Sequence, residues 1–279
     1  MLNPIFYING KWKKKSEAQI SANDAGFLLG DGLFETIRFQ NKKLFLLDKH
    51  LARLNSGLKT IKINIEYSNS DLYTILNKII NKNNFENGLI RLMITRGELE
   101  GEPWKYNGPT CLYISIRPIA EKSDIPVKVV YFNESDYPII RFTPAIKSMN
   151  YIGNMLAKKD ADKYGAYEPV FINNDGFITE CAIRNIFYIK NNSLITPSED
   201  LGILPGVTRD TIMKIGADLG LEIIKTKIPQ NEIQSMDEAF ISSSGIGLLP
   251  CFWDGWNSEF KLTKQLQKSL FNYINEHCK

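Results

Sequence analysis

Short strand patterns and amphipathic helices alternate on both sides of one polar stretch, and this arrangement constrains the fold more than any other feature. The stretch, residues 118–126, begins and ends with proline and holds charged and polar residues between, as linkers commonly do. Each flank has the length of an ordinary domain. The pattern therefore predicts an N-terminal α/β domain over 1–117, an interdomain linker over 118–126 and a C-terminal domain over 127–279.

Turn and capping signals support this organisation. An Asn-Gly pair at 9–10 follows an apolar run over 5–8 and predicts a tight hairpin. Asp48 precedes a helix with leucines on one face, and we expect it to cap that helix. The last helix carries an apolar residue at every fourth position from Leu262 to Ile274, which indicates a buried face.

The charge balance argues against nucleic acid as a partner. The chain has 34 basic and 31 acidic residues, a net charge of +3, and its 43% hydrophobic content is that of a folded protein. The one basic block, residues 13–15, is more simply interpreted as a solvated face than as a binding site. No apolar run reaches the ~18 residues of a membrane span, and the first residues lack signal-peptide features. We therefore expect a cytoplasmic location.

Missing motifs narrow the chemistry. The four cysteines are widely spaced and are interpreted as thiols in a reducing compartment. His50 and His277 are the only histidines, so a multi-histidine zinc site is implausible and we predict no bound metal. The sequence has no G-x-S-x-G elbow and no glycine-rich phosphate loop. Catalysis through a lysine side chain is not excluded by these absences.

Lys147 and Glu180 are candidates for such chemistry. Lys147 stands between small and apolar residues before a predicted helix, where partial dehydration would favour the neutral amine that a Schiff base requires. A pyridine cofactor needs a carboxylate beside its ring nitrogen, and Glu180 follows a tight turn on a predicted strand. Taken alone, each residue is more simply interpreted as an ordinary solvated side chain.

Two glycine- and hydroxyl-rich segments could bind a phosphate. Residues 202–210 place Gly206 and Thr208 where a helix begins, and helix N-termini attract anions. Residues 242–245 offer further hydroxyl and backbone donors after a strand. The Arg53 guanidinium could donate two parallel hydrogen bonds to the phosphate. The alternatives are a helix cap, a polar turn and a surface arginine.

Taken in order, these segments resemble the class IV aminotransferases, which depend on pyridoxal phosphate and have fold type IV. The family includes branched-chain aminotransferases, D-amino-acid aminotransferases and aminodeoxychorismate lyases. The resemblance covers residues of about 5 to 255 in one unbroken order. The motifs that carry it are Gly30 to Arg38, His50-x-x-Arg53-Leu54, Lys147-Ser148-x-Asn150-Tyr151, Gly176-x-x-Thr179-Glu180, Asn185-Ile186-Phe187, Gly206-Val207-Thr208-Arg209 and Ser242 to Pro250.

The resemblance implies a fold, a cofactor and a role for each matched residue. It implies a small N-terminal α/β domain, a larger C-terminal domain with a barrel-like sheet, and a homodimer with active sites at the domain junction. Lys147 would carry pyridoxal 5'-phosphate as a Schiff base and move the substrate proton, Glu180 would pair with the ring nitrogen, and Tyr151 would bind the phenolic oxygen. The phosphate would be held by Arg53, Gly206, Val207, Thr208 and Ser244. The substrate side would be formed by Phe34, Arg38, Arg91 and Gly245.

Three subgroups compete for the substrate assignment. Phe34 and Arg91 match branched-chain enzymes, although Leu28-Leu29 replaces their aromatic residue before the glycine. The Arg-x-His pair of D-amino-acid enzymes is absent from the acidic segment 98–105. Thr36 matches aminodeoxychorismate lyases, but that acidic segment would repel a substrate with two carboxylates. We predict transamination between an amino acid and a 2-oxo acid, with the lyase reaction as the alternative.

Overall fold

The computed structural model describes residues 2–105, 108–119 and 125–279. The helices within them are α1 (Ala25–Leu29), α2 (Leu47–Thr60), α3 (Asn69–Asn83), α4 (Ile152–Lys163), α5 (Val207–Asp218) and α6 (Lys261–His277). The strands within them are β1 (Ile5–Ile8), β2 (Lys11–Lys14), β3 (Gly32–Gln40), β4 (Lys43–Leu44), β5 (Gly88–Thr95), β6 (Cys111–Pro118), β7 (Val127–Asn133), β8 (Glu168–Ile172), β9 (Phe177–Cys181), β10 (Asn185–Lys190), β11 (Ser193–Pro197), β12 (Glu222–Thr226), β13 (Ile228–Pro229), β14 (Glu238–Ser243) and β15 (Gly247–Phe252). Of the described helices, none is both long and apolar enough to cross a bilayer.

The described residues divide into two compact units. The first holds the residues up to 119 together with Ile146–Asn150 and Ile274–Lys279. The second holds 125–145 and Tyr151–Tyr273. Within the predicted linker, residues 120–124 lie outside the described part of the chain. The domain limits expected from the sequence therefore stay a prediction.

The first unit is built on a six-stranded antiparallel sheet. Its strand order is β2-β1-β6-β5-β3-β4, and β3 pairs with β5 from Gly32 to Phe39. Helix α2 packs on β3 and buries its leucine face. The expected hairpin is confirmed: Asn9 and Gly10 both have positive φ, as the tight turn between β1 and β2 requires.

The second unit is built on a nine-stranded, barrel-like sheet. Its order is β12-β11-β10-β14-β15-β7-β8-β9-β13, with parallel and antiparallel pairs. Apolar side chains of β7, β8, β10, β14 and β15 form one buried cluster. The four cysteines, which all lie in the described residues, are buried free thiols. The predicted α/β class is confirmed.

Helix boundaries show where local signals succeed and fail. The prediction that Asp48 caps α2 was wrong, because the helix begins at Leu47 and Leu46 occupies the cap position with a left-handed backbone. Asp48 instead lies in the first turn, where a carboxylate still favours the helix dipole. At the end of α4, Gly165 has a positive φ of 63°, the left-handed conformation in which glycine commonly ends a helix.

Candidate active site

Lys147 is anchored to the end of β3 by backbone hydrogen bonds. The Phe34 N–H donates to the Lys147 carbonyl at 3.0 Å, and the Met149 N–H donates to the Gly32 carbonyl at 3.0 Å. Asn150 donates from Nδ2 to the Gly30 carbonyl at 3.1 Å. These bonds fix the backbone on both sides of Lys147, so its side chain starts from a defined position.

Gly30 is required for this anchoring. It has φ of +67°, and a Cβ at this position would lie 2.6 Å from Asn150 Oδ1. Only glycine combines this left-handed backbone with room for the asparagine. The contact between Gly30 and Asn150 therefore explains why both residues are needed, although they are far apart in the sequence.

The Phe34 ring contacts two cationic side chains. Lys147 Nζ and the Arg91 guanidinium carbon each lie 4.7 Å from the ring centroid. Phe34 is buried, Lys147 is half-buried and Arg91 is exposed. The ring face can stabilise both cations while it offers them no hydrogen-bond acceptor. Three of the predicted site residues are therefore brought together within the first unit.

On the opposite face of β3, a buried carboxylate binds a histidine and an arginine of α2. Glu35 accepts from Arg53 Nε at 2.8 Å and Nη2 at 2.7 Å, and His50 Nδ1 lies 2.8 Å from its Oε2. Burial alone raises the pKa of Glu35, but Arg53 and His50 lower it to about 2. Burial also lowers the pKa of His50. Sequence reasoning missed Glu35 and gave His50 no role, and it did not anticipate this bidentate partner of Arg53.

Glu180 lies in the second unit, where a second arginine holds it. Arg141 Nη1 binds Glu180 Oε1, and the Leu204 N–H donates to Oε2 at 3.2 Å. Arg141 also reaches Glu134 through Nη2. An ionised carboxylate has about four acceptor sites, so Glu180 retains capacity for a further N–H donor. Sequence reasoning missed Arg141 and Glu134.

The N-terminus of α5 has the features of an anion site. Gly206 occupies the cap position, and no side chain caps the helix. A Cβ on Gly206 would lie 2.1 Å from Asn185 Oδ1, so the close approach requires glycine. Asn185 pairs in register with Ser242, whose buried hydroxyl has no hydrogen-bond partner among the described residues. Uncapped N–H groups and an orphaned hydroxyl in one unit fit a phosphate.

The remaining predicted residues are divided between the units. Tyr151 is half-buried and directly precedes α4, while Ser244 and Gly245 are half-buried in the turn between β14 and β15. Val207 and Thr208 form the buried first turn of α5. Arg38 belongs to the first unit and is buried on β3. Its Nη2 donates to Gln40, whereas its Nε and Nη1 have no partner among the described residues.

Comparison with known proteins identifies the family to which this chain belongs. Residues 32–251 match the amino-transferase class IV family. A putative branched-chain-amino-acid aminotransferase of Methanocaldococcus jannaschii is 32% identical over 88% of this chain and 86% of its own. An aminodeoxychorismate lyase of Bacillus subtilis is 32% identical over 88% of this chain and 85% of its own.

Solved structures give the same fold. The branched-chain aminotransferase of Thermoproteus uzoniensis superimposes with a TM-score of 0.88 at 22% identity, over 99% of this chain and 96% of its own. At that identity the likeness concerns the fold alone, and it confirms the predicted two-part class IV architecture. With the family match over most of the sequence, it follows that this chain belongs to the class IV aminotransferases.

Proposed function

We propose that this protein is a pyridoxal-phosphate-dependent transaminase that moves an amino group between an amino acid and a 2-oxo acid. The observation that carries the proposal is Lys147, anchored to β3 on both sides with its ammonium over the Phe34 ring. This lysine belongs to a chain that matches the class IV aminotransferases over residues 32–251.

The residues present fit the cofactor. The uncapped start of α5 and the orphaned Ser242 hydroxyl suit its phosphate, to which we assign Arg53, Gly206, Val207, Thr208 and Ser244. The spare acceptor capacity of Glu180 suits its ring nitrogen, and Tyr151 would donate to its phenolic oxygen. When bound, the cofactor supplies an electron sink for the electrons of the broken bond.

Each protein group then has a limited task. Lys147 would hold the cofactor and then serve as the base that takes the proton from the substrate Cα and returns one. Glu180 would accept a hydrogen bond from the ring nitrogen and keep it protonated. The substrate side is assigned to Phe34, Arg38, Arg91 and Gly245.

A half-reaction tests the transamination proposal. Mixing the holoenzyme with one amino acid from an L and D panel should convert the bound cofactor to its amine form, recorded by absorbance. Adding a 2-oxo acid should restore the original spectrum. Failure of every amino acid to produce the conversion would contradict transamination.

Aminodeoxychorismate lyase is a second candidate function. The supporting observation is the Bacillus subtilis lyase, which is 32% identical to this chain, as is the branched-chain relative of Methanocaldococcus jannaschii. Thr36, which matches lyases, lies on β3 two residues from Phe34. A lyase needs no 2-oxo acid acceptor. Release of pyruvate and 4-aminobenzoate from aminodeoxychorismate, without amino-acid half-reactions, would establish this alternative.

A homodimer and a cytoplasmic location complete the proposal. Phe27, Leu28 and Leu29 of α1 are 72%, 51% and 54% exposed, and consecutive exposed apolar residues favour burial against another chain. Sedimentation of the purified protein at twice the 31.8 kDa chain mass would support the dimer. The cytoplasmic location stays a prediction from the sequence.

A further inference from the structure

Arg141 is the centre of a charged cluster in the second unit that no sequence motif indicated. It lies between β7 and α4 in a segment without helix or strand. Its Nη1 binds Glu180, and its Nη2 binds Glu134 and lies 3.1 Å from the Thr179 hydroxyl. Thr179 in turn donates to Glu134 at 2.5 Å. Each member of the cluster therefore has at least two polar contacts.

The cluster carries more negative than positive charge. Two carboxylates share one guanidinium, and all three side chains are mostly buried, with exposed fractions of 15% to 22%. Burial lowers the pKa of Arg141, but Glu180 and Glu134 more than offset it, so the pKa lies above its ordinary value. The arginine therefore stays charged, and one negative charge remains unbalanced within the cluster.

These contacts fix the orientation of Glu180. Arg141 binds one carboxylate oxygen, and the Leu204 N–H binds the other at 3.2 Å. A glutamate side chain without such partners samples several rotamers, and ordering it on cofactor binding would cost conformational entropy. Partners behind a binding group commonly set its geometry in this way.

We propose that Arg141 is the positioning residue for the ring-nitrogen end of the cofactor, because it holds Glu180 in one orientation before the cofactor arrives. This inference rests on the proposed function, which assigns Glu180 to the ring nitrogen. Arg141 does not itself touch the reacting atoms. Its effect is expected at the ring end of the cofactor and not at the phosphate end.

Binding and spectroscopy of purified variants test this inference. Arg141→Met should weaken binding of pyridoxal phosphate to the apoprotein about 10-fold, because the cofactor must then order a free glutamate side chain. It should also shift the pH midpoint of the absorbance of the bound cofactor. Affinity for inorganic phosphate should stay unchanged, and Arg141→Lys should recover part of the loss.

Arg184→Met is the matched control. It removes another largely buried arginine of the second unit, one whose hydrogen bonds go to Glu168 and Tyr167. It should lower thermal stability and leave the pH midpoint of the cofactor absorbance unchanged. The same shift in both variants would show general destabilisation and overturn the inference.

Two other results also decide the question. If wild type and Arg141→Met bind the cofactor equally and titrate alike, Arg141 does not position Glu180, although the proposed function stands. If Arg141→Met loses phosphate affinity as much as cofactor affinity, Arg141 stabilises the fold of the whole site and does not position Glu180 specifically. The inference is then wrong. A wild-type protein that takes up no cofactor would overturn the proposed function and this inference together.

Discussion

Each unit has one arginine–carboxylate cluster, and the two clusters compensate their buried charges with opposite numbers of acidic and basic groups. In the first unit a single carboxylate, Glu35, serves both Arg53 and His50. In the second a single guanidinium, Arg141, serves both Glu134 and Glu180. With His50 neutral, the first cluster is balanced, and Glu35 is only 1% exposed. The second keeps an excess negative charge and is more open.

This difference teaches what each cluster can do. A balanced cluster around a deeply buried carboxylate is suited to fixing structure, because any lost partner leaves a buried charge without compensation. A cluster with surplus negative charge and spare acceptor capacity is suited to receiving a protonated nitrogen. We therefore expect loss of the Glu35 carboxylate to act mainly on stability and loss of the Glu180 charge to act mainly on turnover.

The largest effect should follow from breaking the balanced cluster. Glu35→Leu leaves Arg53 and His50 without their carboxylate, and breaking a buried pair in this way costs about 3–5 kcal/mol. Urea unfolding of the apoprotein measures this change. The control Glu86→Leu removes a 66% exposed partner of Lys42 and should cost less than about 1 kcal/mol. Similar unfolding midpoints for the two variants would contradict the structural role.

Neutralising Glu180 in the second cluster should have a smaller effect. It should lower turnover and leave the free energy of unfolding nearly unchanged. Glu180→Gln keeps the shape of the side chain, so the cofactor should still bind. Turnover should fall on the order of 10²-fold, because the ring nitrogen loses its charged partner. The control Asp175→Asn changes an exposed acid on the preceding turn and should turn over normally. Unaltered turnover in Glu180→Gln would refute the assigned role.

The smallest effect concerns pH. The pKa of His50 is lowered by burial, although Glu35 raises it and Arg53 and Lys147 lower it further. Below pH 6.5, the ordinary pKa of histidine, His50 binds a proton in the unfolded chain but not in the folded one. Stability should therefore fall as pH drops from about 6.5 to 5, with a slope contribution of up to ~1.4 kcal/mol per pH unit. Unfolding of His50→Gln should show a shallower slope, and an identical slope would exclude this contribution.

The contrast between the clusters also shows what a sequence can reveal. The α/β class, the family and the hairpin at Asn9 were predictable, because ordered motifs and turn residues are local signals. Gly30 and Asn150 were recognised as motif residues, but their mutual contact required the structure. The predicted roles of Lys147 and Glu180 stay predictions.

The charged partners could not have been predicted in the same way. Arg141 lies six residues before Lys147 in a segment without regular structure, so no periodicity indicated where its side chain would point. Glu35 stood within a recognised motif, yet its pairing with Arg53 depends on α2 packing against β3. The error at Asp48 has a similar cause, since the left-handed Leu46 starts the helix without a capping side chain.

The most direct test of the account is the chemical identification of the lysine that carries the cofactor. Borohydride reduction of the holoenzyme, followed by peptide mapping, should place one pyridoxyl group on Lys147. Lys158, which lies 4.6 Å from the Tyr167 ring centroid and 3.6 Å from Glu168, is the natural comparison. Lys147→Arg should abolish the label and Lys158→Arg should leave it intact. A label on Lys158 or Lys159 in the wild-type protein would contradict the central claim.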